Sequence, residues 1–224
     1  MTGPAPVVAI DGPSASGKGT VSRNVASALG FHFLDSGALY RLVGLAALER
    51  GTDLRDTAAI AELARNLDAE FKDDAIELDG REVTSAIREE RVSSAASQVA
   101  AIPPVRDALL ERQRAFRRPP GLVADGRDMG SVVFPDATLK IYLTADPAER
   151  ARRRYNQLIE KGMDASIDAL LQEIRNRDAR DSGRAAAPLQ KCADAVELDT
   201  TGLGIEAVVS EILVLYKRKV AKVP

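Results

Sequence analysis

The sequence predicts an α/β fold: a five-stranded parallel sheet flanked by helices, with a small antiparallel β insert in the middle of the chain. Three observations lead there. Five short apolar runs, at 7–10, 31–34, 121–124, 139–143 and 195–198, have the length and composition of strands buried on both faces. Helical patterns with apolar residues three and four apart separate them, and alternating buried strands and helices requires parallel pairing through crossovers. Between the second and third runs the alternation breaks at Asp79-Gly80, a two-residue hairpin signal flanked by Ala75-Ile76-Glu77-Leu78 and Arg81-Glu82-Val83.

The elements follow in order. The first run ends at Asp11-Gly12-Pro13, a turn into a loop, and a helix over 18–29 is stopped by Gly30. A second strand over 31–34 leads to Asp35-Ser36-Gly37, where Asp35 or Ser36 can cap a helix reaching about residue 50. The insert spans 66–84, with 68–72 able to add a third strand. Two helices, over 92–101 and 105–117, are separated by Pro103-Pro104, and Pro104 suits a first helical turn.

Composition narrows the function classes. The chain has 224 residues, 45% of them hydrophobic and 29% charged, which supports one globular domain with a substantial core. With 31 basic and 33 acidic residues, the net charge of −2 advertises neither a nucleic-acid nor a membrane surface, so any anion site is local. One cysteine, Cys192, excludes an internal disulfide, a Cys-rich zinc site and a CxxC pair, and suits a reducing cytoplasm. One histidine, His32, lies in the apolar run Phe31-His32-Phe33-Leu34 and reads as structural, which removes HExxH zinc chemistry and disfavours a Ser-His-Asp triad. No stretch approaches the roughly 20 apolar residues of a membrane span, and Met1-Thr2-Gly3-Pro4 lacks the features of a leader, so a cytoplasmic location is expected.

The most specific local signal is Gly12-Pro13-Ser14-Ala15-Ser16-Gly17-Lys18-Gly19-Thr20, a G-x-x-x-x-G-K loop between a predicted strand and a predicted helix. Glycines at both ends let successive N–H groups turn inward on phosphate oxygens, the helix N-terminus adds a favourable dipole, and Lys18 supplies a compact charge for the β and γ phosphates. A glycine-rich turn that binds nothing would not require a lysine. Gly19 stands where most such loops carry a Ser or Thr for Mg²⁺, with the hydroxyl one residue later at Thr20.

Ligands of open α/β sheets bind beyond the carboxyl ends of strands. Two segments qualify, Asp35-Ser36-Gly37-Ala38-Leu39-Tyr40-Arg41 and Asp125-Gly126-Arg127-Asp128-Met129-Gly130, each placing an acid and an arginine at a strand's end. Asp125 resembles a Walker B acid that holds Mg²⁺ through water, and Asp35 and Ser36 read equally as helix caps.

Asp35-Ser36-Gly37-x-x-Tyr40-Arg41, Ser97-Gln98-Val99-Ala100, Val105-Arg106, the 125–130 segment and Arg177-Asp178-x-x-Asp181-x-x-Arg184 together resemble the bacterial type of cytidylate kinase, in order over about 7–214. The resemblance implies a P-loop NTPase-type fold and ATP-dependent phosphorylation of CMP and dCMP to CDP and dCDP by direct in-line transfer, with Mg²⁺. It implies that 12–20 hold ATP, that Ser36, Ser97, Arg106, Asp128 and Asp181 contact the nucleoside, and that Arg41, Arg127 and Arg184 hold its phosphate. Lys18, Arg127, Arg177 and Arg184 are the expected catalytic groups, and Thr20 and Asp125 the metal candidates through water. The partners implied are the small molecules CMP, dCMP and ATP, with no nucleic acid, membrane or protein. The domain is then one kinase unit over 1–224, with a core at about 5–65, 118–150 and 190–220, an NMP-binding insert at 66–104 and a lid at 150–186.

The lid expectation also has local support. From Arg150 to Arg184 there are nine basic and six acidic residues, and Arg177, Asp181 and Arg184 recur at i, i+4 and i+7, one side of a helix. Arg153 and Arg154 are candidates for the adenine ring, and Gly162 and Gly183 for hinges. Another P-loop kinase, for AMP or UMP, and a nucleotide-sensing switch are the competing readings. A second set of arginines disfavours the switch, which needs a partner surface and no second anion pocket.

Overall fold

A computed structural model describes residues 3–72, 75–160 and 162–221. Met1 and Thr2 of the expected leader-free terminus, residues 73 and 74 of the insert and Lys161 of the expected lid lie outside the described residues. The chain divides into two compact units, one running to Leu34 and resuming at Phe116, the other Asp35–Ala115.

In chain order the elements are β1 (Val7–Asp11), α1 (Lys18–Leu29), β2 (His32–Asp35), α2 (Ser36–Glu49), α3 (Thr57–Arg65), β3 (Ala69–Lys72), β4 (Ala75–Leu78) and β5 (Arg81–Glu82). A 3-10 turn (Ala86–Arg88) leads to α4 (Glu90–Val99), α5 (Pro103–Arg114) and β6 (Leu122–Gly126). A π-helical turn (Met129–Val133) then precedes β7 (Leu139–Thr144), α6 (Pro147–Glu160), α7 (Ile167–Gly183), β8 (Val196–Asp199) and α8 (Ile205–Val220).

The first unit carries the five-stranded sheet, in order β2-β6-β1-β7-β8. All five expected strands form. β1 sits at the centre, paired in parallel with β6 (Ile10 opposite Asp125) and β7 (Ile10 opposite Ile141), and every residue of β1 and β6 is buried. That explains their unbroken apolar runs: neither strand has a solvent side to alternate toward. Val8, Ile10, Val123, Ile141 and Leu143 pack with Val21 and Val25 of α1 and Val208 and Ile212 of α8. His32 has its Nε2 3.0 Å from the Pro119 carbonyl. No helix among the described residues is long and apolar enough to cross a membrane.

The second unit holds α2 to α5 and the antiparallel sheet β3-β4-β5. The hairpin forms where the sequence predicts it: Asp79 and Gly80 both take positive φ, and Leu78 pairs with Arg81. α2 packs along α4, and Asp35 rather than Ser36 caps α2, accepting from the Ala38 N–H at 3.1 Å. Two helices differ from expectation at both ends, α5 stopping at Arg114 in place of 117. α5 begins at Pro103, because neither of the first two helical positions needs an N–H donor and both prolines are admitted. α4 covers Glu90–Val99 in place of 92–101.

Candidate active site

The loop between β1 and α1 is shaped by close approach. A Cβ on Gly12 would stand 2.0 Å from the Leu143 carbonyl oxygen, so only glycine lets the chain leave β1 against β7. Within the loop the Ser16 hydroxyl and the Lys18 ammonium both donate to the Pro13 carbonyl, at 3.0 and 2.8 Å. Peptides whose N–H groups turn inward present their carbonyls outward, and those carbonyls need donors. α6 supplies them: Arg150 Nη1 donates to Ser14 O at 3.1 Å, and Arg153 Nη1 to Ser16 O at 3.3 Å. Arg150 is buried and also forks onto both carboxylate oxygens of Asp178 in α7. Arg153, one of the two adenine candidates, donates to Glu149 and to the Thr200 carbonyl.

Lys18 is 6% exposed, with Asp125 Oδ1 4.0 Å away. Burial, reinforced by the positive charges of Arg127 and Arg177 and opposed by Asp125, pushes its pKa down to about 7. Asp125 lies in the buried carboxyl-terminal part of β6, and a Cβ on residue 19 would lie 3.5 Å from its Oδ2. Gly19 keeps a side chain off that carboxylate, and a carboxylate oxygen is the type of donor a divalent cation takes. Thr20 is exposed in the first turn of α1.

Arg127 follows β6, and its Nε donates to Asp181 Oδ2 at 2.9 Å. Burial opposes the charge of each, yet the pairing outweighs it: Asp181 holds the Arg127 pKa up, while Arg127, Arg184 and Arg177 hold the Asp181 carboxyl below its usual range. Arg184 is a correction to the helical spacing, for α7 ends at Gly183 and Arg184 is extended beyond it (φ −62°, ψ 135°). Glycine favours that exit, and Arg184 still turns back, donating from Nε to the Asp181 carbonyl at 3.2 Å. Lys18, Arg127, Arg177, Asp125, Asp128, Asp181 and Arg184 thus belong to one electrostatic cluster in the first unit.

Three participants carry no role in the sequence reading: Asp11, Arg150 and Asp178. Asp11 is buried and accepts from the backbone N–H groups of Met129 and Gly130, both at 2.8 Å. Burial pushes its pKa up to about 7 against those two hydrogen bonds. Its signal was an acid at the carboxyl end of a strand, the same signal that singled out Asp125. Arg150 and Asp178 had no comparable signal inside a run of charges.

The second unit brings together other predicted residues. Ser36 and Tyr40 lie one turn apart on α2, the Arg106 guanidinium sits 5.6 Å from the centre of the Tyr40 ring, and Arg106 Nη1 donates to the Ala100 carbonyl at 3.2 Å. Ser97, one turn before Ala100 in α4, is buried, and among the described residues its hydroxyl has no hydrogen-bond partner. Such a group is what a ligand's polar atom would satisfy. Arg41 is half-buried on α2.

A parallel sheet of this order, with a G-x-x-x-x-G-K loop after its central strand and a buried lysine on that loop, defines a P-loop kinase fold. The family model described as cytidylate kinase matches residues 8–218. A cytidylate kinase of Nitrosomonas eutropha is 59% identical over 211 residues, covering 94% of each chain. One from Bordetella bronchiseptica is 58% identical over 215 residues, covering 96% of each. One from Pseudomonas aeruginosa is 58% identical over 219 residues, covering 95% of this chain and 96% of the relative. The chain belongs to the cytidylate kinase family.

Proposed function

We propose that this chain transfers the γ-phosphoryl group of ATP to CMP and dCMP, giving ADP with CDP or dCDP. An oxygen of the acceptor phosphate attacks the γ phosphorus in line as the bond to the β–γ bridging oxygen breaks, with no covalent enzyme intermediate. The observation that carries this reading is the cluster of Lys18, Arg127, Arg177 and Arg184 beside the loop, in a chain of this family. Four cations suit a transition state whose charge spreads over the equatorial oxygens. Residues 12–20 cradle the ATP phosphates. Mg²⁺, held through water by Asp125 with Thr20 as the hydroxyl candidate, would supply further neutralisation of the phosphates.

On the acceptor side, Arg41, Arg127 and Arg184 hold the CMP phosphate, while Ser36, Ser97, Arg106, Asp128 and Asp181 contact the nucleoside. Cytosine offers an amino donor at N4, which Asp128 and Ser97 can accept, and ring acceptors for Arg106. Uracil would set a carbonyl against Asp128, a repulsion that favours C over U. The segment 150–186 acts as a lid, with Gly162 and Gly183 as its hinges, in a kinase that works in the cytoplasm on small molecules alone.

The direct test is an acceptor survey: ADP release from ATP with CMP, dCMP, UMP, AMP or GMP. Release with CMP and dCMP well above the others is expected. Equal release with AMP or UMP would reassign the acceptor, and release without any acceptor would favour a switch.

Two further results are expected. Ser97→Ala removes a buried, unpartnered hydroxyl, so it raises stability by about 1 kcal/mol, which is about 2–4 °C in thermal midpoint for a chain of this size, while raising KM for CMP. A lower midpoint, or an unchanged KM, would show that the hydroxyl is satisfied some other way. ATP binding should also take up a proton at pH 8. The free-enzyme pKa of Lys18, near 7, leaves it largely neutral there, and the arriving polyanion favours its charged form. At pH 6 the lysine is already charged and contributes no uptake. Calorimetry in buffers of different ionisation enthalpy reads this directly, and Lys18→Ala should show less uptake at pH 8. Equal uptake in parent and variant would place the titrating group elsewhere.

A further inference from the structure

We propose that Asp11 is a positioning residue for base selection: its carboxylate fixes the turn that presents Arg127 and Asp128. The inference rests on the reading of Asp128 as a base-contacting group.

Asp11 closes β1 opposite Gly126, one residue before Arg127 in the neighbouring strand's exit. Its two oxygens divide the work: Oδ1 accepts from Met129 N and Oδ2 from Gly130 N, each at 2.8 Å. These are consecutive N–H groups at the start of the π-helical turn, where the backbone has no intrahelical acceptor to offer. Asp128 precedes that turn but does not cap it with its own side chain. The cap comes instead from a residue 118 positions away from Met129.

The fit is close on the other side as well. A Cβ on Gly130 would stand 3.1 Å from Lys140 Cδ and 3.5 Å from Asp11 Oδ2, so a methyl there presses on the Lys140 side chain and comes into contact with the carboxylate that tethers the turn. Burying a carboxylate is costly, and Asn has one acceptor oxygen where this turn uses two. An amide at position 11 would point donor hydrogens at one of the two N–H groups. The turn would then lose one tether, and the side chain most directly displaced is that of Asp128, the residue next to Met129.

The experiment compares Asp11→Asn, Asp128→Ala and their double variant in the full-length enzyme, with Gly130→Ala as a second route to loosening the same tether. The readouts are kcat/KM for CMP and for UMP, KM for ATP and the thermal midpoint. Asp11→Asn is expected to lower the CMP to UMP ratio about 10-fold, within the range that loss of one base contact gives, with KM for ATP changed less than about 2-fold. The double variant should lose little more than Asp128→Ala alone, because both changes remove the same contact. Gly130→Ala should shift the ratio in the same direction, and it decides the matter if Asp11→Asn does not fold. If Asp128→Ala lowers the ratio but Asp11→Asn and Gly130→Ala leave it unchanged, the positioning role is wrong while the base reading stands. If Asp128→Ala itself leaves the ratio unchanged, the base reading fails and takes this inference with it. A fall in activity equal for CMP and UMP, with a raised KM for ATP, would assign Asp11 to the phosphate loop and overturn the proposal.

Discussion

Lys18→Ala is expected to lower kcat by at least about 10²-fold and to leave the fold intact, because on the proposed mechanism it removes a cation aimed at the transferring oxygens and little packing. Stability should not suffer at pH 6. The folded pKa, about 7, lies below the ordinary lysine value of 10.5, so the folded state bears the full cost of the buried charge below pH 7. That cost fades as the pH rises from 7 toward 10.5, where the unfolded chain holds the extra proton. Removing the side chain therefore relieves the parent most on the acid side of neutrality. Steady-state kinetics with CMP and ATP, with thermal midpoints at pH 6 and 9, check both statements. Activity within about 3-fold of the parent, far below the usual loss of such a group, would mean that Lys18 does not face the phosphates.

Arg127→Ala should cost about 10³-fold in kcat and also destabilise the protein, two effects with different origins. The kinetic loss, on the proposed mechanism, is that of a guanidinium on the phosphoryl oxygens. The stability loss, about 3 kcal/mol, comes from leaving the buried Asp181 carboxylate without its 2.9 Å partner. Adding Asp181→Asn separates them. The double variant should recover most of the thermal midpoint, since no uncompensated charge is left behind, and none of the activity. Recovery of activity together with stability would show that Arg127 acts only by holding the fold.

Legibility in the sequence followed the range of the forces involved. β1 and β6 are legible because each is buried on both faces, β2, β7 and β8 from their short apolar runs, and α1 because Gly17 and Gly30 bracket it in the chain itself. α3 (Thr57–Arg65) gives no such signal: its buried positions are Ile60, Ala61 and Ala64, and two alanines in three give a faint apolar stripe. The π-helical turn at Met129 was invisible, since the hydrogen bonds that hold its first residues come from Asp11. The loop motif and the Arg127-Asp128 turn could be read because their chemistry is consecutive. Arg150 could not, because its partners Ser14 and Asp178 lie far away on both sides of it.

Arg150 and Arg153 also bear on how this protein can be divided. Both belong to α6, by sequence the opening of the arginine-rich segment, yet their guanidinium groups finish the hydrogen bonding of the loop at 12–20. A chimera that takes its helical pair from a relative, with a junction placed before residue 150, transplants the outer wall of that loop along with the segment. A junction placed after residue 154 leaves that wall with its own loop, although Asp178, the counter-ion of Arg150, would then come from the donor. The interchangeable piece is accordingly smaller than the helix boundaries suggest, and a donor without an acid at position 178 would strand a buried arginine.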